Sequence, residues 1–249
     1  MRVKAIVAVG AAAYLISLVA TLPASLIAPR VTGWTQGSVA LAHPAGSVFS
    51  GSATVRLSLP DLPPITIDRA QWDWHALALF RGQLAVGVQA KAAGLSGTLT
   101  VGRSPFDWHL RDATVDGPAS ALASFHSLLG SWNPTGRIAL RVPSLRVDRA
   151  GFNGGGVVEW ADAGLSLSTV QPLGTWRLSL AGEGGPAKLM LATQRGPLAL
   201  TGNGTLSAAG KAAFTGEAKA EPGREADLAP FLANIGAKRA DGVHAFSLP

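Results

Sequence analysis

Residues 106–117, FDWHLRDATVDG, alternate strictly. Phe106, Trp108 and Leu110 fall on one side of an extended chain, and Asp107, His109 and Arg111 on the other. Successive side chains of a strand point to opposite faces, so a period of two marks a strand with one face in a core and the other in water. The same period runs through most of the chain. Val55, Leu57 and Leu59 share a side in 52–59, Leu84, Val86 and Val88 in 82–90, and Leu95, Leu99 and Val101 in 95–102. ITIDRAQWDW (65–74) sets Ile65, Ile67 and Arg69 together, then shifts toward Trp72 and Trp74. Further strand segments are expected at 136–143, 145–152, 155–163, 165–170, 174–182, 187–193, 196–204 and 211–220. Short strands separated by turn residues at such spacings restrict the chain to a mainly β fold: a large antiparallel sheet, sandwich-like or solenoid-like.

Two segments break the period. In GPASALASFHSLLG (117–130), Leu122, Phe125, Leu128 and Leu129 make a helical stripe, with Pro118 suited to an early helical position and Gly130 placed to end it. In READLAPFLANIG (224–236), Leu228, Phe231, Leu232 and Ile235 do the same. These two short helices belong to a repeat. A shift of 106 lays 117–143 on 223–249, so that Gly117, Leu122, Ala123, Phe125, Gly130, Gly136, Ala139 and Pro143 recur as Gly223, Leu228, Ala229, Phe231, Gly236, Gly242, Ala245 and Pro249. An internal duplication is expected, with halves at about 46–133 and 134–249.

Upstream of the strands, residues 5–29 (AIVAVGAAAYLISLVATLPASLIAP) carry no charge and are closed by Lys4 and Arg30. A bilayer core of about 30 Å takes roughly 20 helical residues to cross, and a helix satisfies its own backbone there. The run predicts one transmembrane anchor within residues 1–30, built on Ala5, Ile6, Val7, Tyr14, Leu15, Ile16, Leu18, Val19, Leu22, Leu26 and Ile27. A cleaved signal would have an apolar run of about 7–15 residues ending at a small-x-small site. Here Leu22 and Leu26 stand at the −3 positions before Ala24 and Ala28, too large for that site. Arg2 and Lys4 ahead of the span favour a short cytoplasmic N-terminus, although Arg30 on the far flank weakens the bias. Residues 31–45, with Gly33, Gly37 and Pro44, read as a tether, and 46–249 as a β-rich domain on the periplasmic side.

The absence of cysteine rules out a disulfide framework, a thiolate nucleophile and a cysteine-held zinc. The net charge of +6 is spread thinly over a chain with only 14% charged residues, unlike the aromatic-laced basic stripe of a nucleic-acid binder. Such a balance suits a solvated surface, or contact with anionic lipid or an acidic protein. Arg137, Arg141, Arg146 and Arg149 are the local basic cluster and the candidate interaction residues. Exposed charges need no partner, so a solvated strand face is the default for them. The tryptophans, Trp34, Trp72, Trp74, Trp108, Trp132, Trp160 and Trp176, fall mostly on the apolar side of the alternation, where core packing is the default.

Catalytic constellations do not assemble. His43, His75, His109, His126 and His244 are scattered, without an HExxH or His-x-His spacing. Asp107 with His109, and Asp73 with His75, repeat one spacing and would converge on a metal only with a further ligand from elsewhere. The Gly204…Gly210-Lys211 stretch fails as a phosphate loop: five residues separate the glycines, and Ala212 stands where Ser or Thr must hold magnesium. No cofactor is expected.

Several elements in order carry a resemblance. After the basic N-terminus and the uncharged run comes Gly46-Ser47-Val48-Phe49-Ser50-Gly51, like a Gly-Thr-Leu-Trp-Ser-Gly element with Phe49 in place of tryptophan. Then follow PLGTWRLSL (172–180), GPLALTGNG (196–204) and the Leu-rich helix ending at Gly236. The chain resembles the type II secretion system protein N (general secretion pathway protein N) family nearly end to end. The resemblance implies an accessory inner-membrane component of the apparatus that exports folded proteins across the Gram-negative outer membrane. Its partners would be other components, in the inner-membrane platform or the periplasm, and it implies no catalytic residues. A different class of function is a membrane-tethered lipid-binding or lipid-transfer module holding acyl chains in an apolar β-groove.

Overall fold

The structure is a computed structural model, and it describes residues 21–58, 64–74, 84–124, 127–236, 238–239 and 242–248. Thirteen strands form one sheet in sequence order, each antiparallel to the next. They are β1 Val39–Gly46, β2 Ser50–Leu57, β3 Ile65–Trp74, β4 Leu84–Ala92, β5 Leu95–Arg103, β6 Trp108–Pro118, β7 Thr135–Val147, β8 Phe152–Gly164, β9 Gly174–Gly185, β10 Ala187–Arg195, β11 Leu198–Leu206, β12 Ala212–Ala220 and β13 His244–Leu248. Among the described residues the helices are few: α1 Ala28–Trp34, α2 Ser127–Trp132 and α3 Glu225–Leu232, with 3-10 turns at Ala24–Leu26 and Ala119–Ser124.

The mainly β, antiparallel expectation therefore holds. The sandwich-like one does not, because the strands make a single layer and no second sheet packs on it among the described residues. Alternation reports that one face is apolar; it does not say what covers that face. Register shows how continuous the face is. Trp72, Val88 and Leu99 oppose one another across β3–β5, and Val101, Leu110 and Leu145 across β5–β7. Leu140, Val158, Leu178 and Leu191 continue the row across β7–β10. The opposite face carries Gln71, Gln89, Thr98, Thr114 and Arg141 in one cross-strand row. Paired bulges keep the two faces in phase. Asp112 takes φ 50° in β6, and β7 slips between Arg141 and Ser144. Pro143, which has no N–H to give a ladder, sits at that slip. The expected strands 136–143 and part of 145–152 are thus one bulged strand, β7.

The core gathers where α3 lies on the apolar face. Leu173, Leu198 and Leu228 are fully buried, with Trp176, Phe231 and Leu232 beside them and Ile235 half-buried against the cluster. The stripe expected at 224–236 is the buried face of α3. The first helical segment is shorter than expected: β6 runs on through Pro118, a 3-10 turn follows, and α2 begins only at Ser127. Residues 165–170, expected as a strand, form turns instead, held by Ser166 Oγ donating to Trp132 O and Ser168 Oγ donating to Val170 O.

The order of elements recurs. The set β2 to β6, the 3-10 turn with α2, and β7 is followed by β8 to β12, α3 and β13, strand for strand. The sequence match between 117–143 and 223–249 falls on corresponding elements.

Among the described residues no helix is long and apolar enough to cross a membrane, which leaves spanning by strands untouched. Ala5, Ile6, Val7, Tyr14, Leu15, Ile16, Leu18 and Val19 lie outside the described residues. The end of the uncharged run is described, and it belongs to the sheet domain. Leu22 O accepts the Val48 N–H, Pro23 bridges to Ser47, and Ala24 is buried. Residues 31–45, expected as a tether, contain the end of α1 and most of β1.

Candidate interaction surfaces

The four arginines singled out by sequence are strung along β7 and the turn after it. From Arg137 to Arg146 the strand rise of about 3.4 Å per residue separates them by roughly 30 Å, and Arg149 lies beyond in the turn. Arg137 forks onto both oxygens of Asp116 on β6. That hydrogen bond holds the Asp116 carboxyl below its ordinary range, and it raises Arg137. Arg141, exposed on the same face, adds a smaller electrostatic pull on Asp116. Arg146 Nε lies 3.4 Å from Asp107 Oδ2. Arg149 is exposed in the β7–β8 turn, without a carboxylate partner among the described residues. Elsewhere the polar face is laced by Arg177–Glu159 and Arg195–Asp162, each at 2.9 Å. Exposed pairs of this kind contribute little individually.

The Asp107–His109 pair is brought together, with a residue that the alternation did not point to. Ser104 Oγ lies 2.9 Å from His109 Nε2, and Asp107 Oδ1 lies 3.3 Å from the same nitrogen. His109 is buried, and its Nδ1 has no hydrogen-bond partner. A nucleophile relay needs the hydroxyl on one ring nitrogen and the carboxylate on the other. Here both approach Nε2, so the trio does not form one. Among the described residues no three His, Asp or Glu side chains converge as a metal set, and His75 lies outside them.

The apolar face offers a different kind of site. A cavity of about 350 Å³ is lined by carbon: Val158, Trp160, Trp176, Leu178, Leu191 and Phe231, with four further leucine and isoleucine side chains. Trp176 and Trp160 meet edge to face with centroids 5.5 Å apart. Their indole N–H groups are turned away from the cavity problem, donating to Leu198 O and Thr135 O. Two larger hollows, about 590 and about 810 Å³, have mixed linings that include Gln71, Asp73, Gln89 and Thr98 in one and Asn203, Thr215 and Glu217 in the other. Such linings are satisfied by water. The carbon-lined cavity is not, so it is the more selective feature. The tryptophans divide accordingly. Trp176 is core, Trp72 donates to Val48 O and Trp74 meets Phe49 edge-on, while Trp34 and Trp108 stand exposed.

Fold and surfaces together define a class: a single-sheet, meandering β protein whose apolar face is roofed on one side by short helices. Within that class the assignment is specific. The sequence profile of the family described as Type II secretion system (T2SS), protein N, matches residues 37–247, and the chain belongs to that family. The matched region reaches from the residues just before β1 into β13. The family is a component of the type II secretion system, so the chain has a role in type II secretion together with other parts of that system. No curated protein matches the chain, and no solved structure does.

Proposed function

We propose that the chain is an accessory inner-membrane component of the type II secretion apparatus, acting in the periplasm by contact. The observation that carries this reading is the family profile, which spans nearly the whole sheet. The uncharged run supports a single N-terminal span with its short basic end in the cytoplasm. An anchor of that kind holds the sheet near membrane-bound partners and raises its effective concentration for them. The start of β13 is covered by Lys238, bridged to His244, and by Gly236, packed on Ala245. Among the described residues no further strand pairs beyond Phe246 and Ser247, and a free strand edge accepts a partner strand by backbone pairing. The strand-for-strand recurrence of elements supports an internal duplication as the origin of the long sheet. The test is a photo-crosslinking amino acid at Ser247, exposed on β13, in cells with and without the secretion apparatus. Adducts with apparatus components support the reading; a chain that yields none from this edge or from β1 overturns contact by edge pairing.

One observation favours a second reading, an acyl-chain-binding module. The carbon-lined cavity beneath α3 opens onto an apolar row running across β7–β10, and only hydrocarbon enters such a lining without stranding a polar group. Native mass spectrometry of the full chain released from a non-lipid detergent separates the readings. Retained phospholipid supports the module, and a bare chain supports contact alone.

A further inference from the structure

In an antiparallel meander alternate turns lie on one rim of the sheet. The turns β1–β2, β5–β6 and β7–β8 share a rim here, and α2 and α3 sit at the opposite one. The helix rim is where the core is closed. Large apolar groups are exposed at both rims, Trp34, Trp132 and Leu167 among them on the helix side. On the other rim Phe106 at the tip of the β5–β6 turn is 88% exposed, Trp108 at the start of β6 is 52% exposed, and Leu84 at the start of β4 is 46% exposed. Leu84, Arg103 and Trp108 are consecutive partners across β4–β6, and Arg103 lies over the Trp108 ring at 4.9 Å. Phe106 and Trp108, two residues apart, with Leu84 in register two strands away, make an apolar patch of the kind that is covered in use.

Two further observations say what covers it. The described chain begins at this rim, since Leu22 and Pro23 are held by Val48 and Ser47 in the β1–β2 turn, and the uncharged residues 5–20 lie immediately before them. Beside Phe106 the charge is also arranged outward-basic, while Asp73 and Glu183 stand exposed further along the same rim. Asp107 turns in toward His109 and Arg146, and Asp148 is taken up by the N–H groups of Ala150 and Gly151. Arg103 and Arg149 remain exposed without carboxylate partners among the described residues. Aromatic rings beside arginine are the groups that settle at a bilayer interface, the rings at head-group depth and the cations on anionic phosphate.

We propose that this rim, through Phe106, Trp108, Arg103 and Arg149, rests in the head-group layer of an anionic phospholipid bilayer and aims the open end of the apolar face at the membrane. The proposal rests on the reading of residues 5–29 as an anchor, and it adds that the sheet lies against the membrane instead of swinging free of it. The chain has no cysteine, so single labels are clean. Full-length Phe106→Cys and Ala93→Cys, the latter in the β4–β5 turn on the opposite rim, are labelled with an environment-sensitive fluorophore. Each is reconstituted into vesicles of phosphatidylethanolamine and phosphatidylglycerol. The label at 106 is expected to shift to the blue and lose most of its emission to a lipid spin-labelled near its head group, while the label at 93 does neither. Both positions are exposed, so neither variant threatens the fold. A chain that floats with the vesicles while its label at 106 stays unshifted and unquenched overturns the proposal and leaves the anchor standing. A chain that does not float overturns both.

Discussion

Phe246 lies across Gly216. The two are directly opposed in the β12–β13 pair, and a methyl group built on Gly216 would fall 2.3 Å from the tip of the Phe246 ring. A related arrangement occurs one strand away, where Phe214, opposed to Gly204, reaches diagonally over Gly202. A methyl group built on Gly202 would fall 2.5 Å from its ring, and Phe214 stacks with Phe246 at a centroid distance of 6.3 Å. Glycine inside a strand costs backbone entropy and packs nothing; a ring from the next strand restores the contact. The glycines of this sheet are therefore ring seats as well as turn residues.

Gly216→Val should displace the Phe246 ring and destabilise the protein by about 1–3 kcal/mol, the usual cost of overpacking. Gly185→Ala, where nothing lies within 4 Å, should leave the denaturation midpoint unchanged. Equal midpoints for the two variants would remove the ring-seat explanation.

Leu228 is fully buried between α3 and the sheet, and Phe231 lines the carbon-walled cavity beside it. Leu228→Ala should cost about 2–5 kcal/mol, measured by denaturant unfolding. Phe231→Ala should cost a similar amount and also widen the cavity, so an apolar fluorophore should bind the variant more strongly than the parent. Weaker binding would mean that the cavity does not admit hydrocarbon.

The Asp116–Arg137 pair gives a pH dependence whose sign follows from Asp116. Its folded carboxyl is held low by the Arg137 hydrogen bond, so its small stabilising effect is present above the unfolded carboxylate value. The effect fades as pH falls through the folded value. Arg137→Gln should move the Asp116 titration, followed by NMR, up toward the ordinary carboxylate range. An unmoved titration would show that the fork is absent in solution.

Much of this fold is legible in the residues, and the failures have physical causes. The period of two in 106–117 and 155–163 becomes β6 and β8, because a half-buried sheet leaves alternation as its direct trace. At the start of β6, however, the expected burial is reversed: Phe106 and Trp108 are exposed and His109 is buried, since the strand there runs out past the covered part of the sheet. Alternation cannot choose between one layer and two, which is why the large antiparallel sheet is legible in the residues while the sandwich-like alternative stays open beside it. Pro143 looks like a strand end, yet the paired bulge carries β7 past it. Leu165 and Val170 alternate like strand residues, but their apolar side chains pack on the core from turns. The surfaces were less legible than the strands. The four arginines are neighbours in sequence but spread along one strand and the turn after it in space. Ser104 reaches His109 only because the β5–β6 turn folds over it, and no spacing rule encodes that turn.

Leu18 sits in the uncharged run, where an arginine costs roughly 2.5 kcal/mol or more at mid-bilayer. Leu18→Arg should release the chain from membranes into a carbonate wash. A variant that still sediments with membranes would contradict a single N-terminal anchor.

In the host, deleting this gene and following a folded exoprotein should show that exoprotein accumulating in the periplasm. Export should return with the parent chain but not with Leu18→Arg. Undiminished export in the deletion strain, with the rest of the apparatus intact, would contradict a part for this sheet in type II secretion.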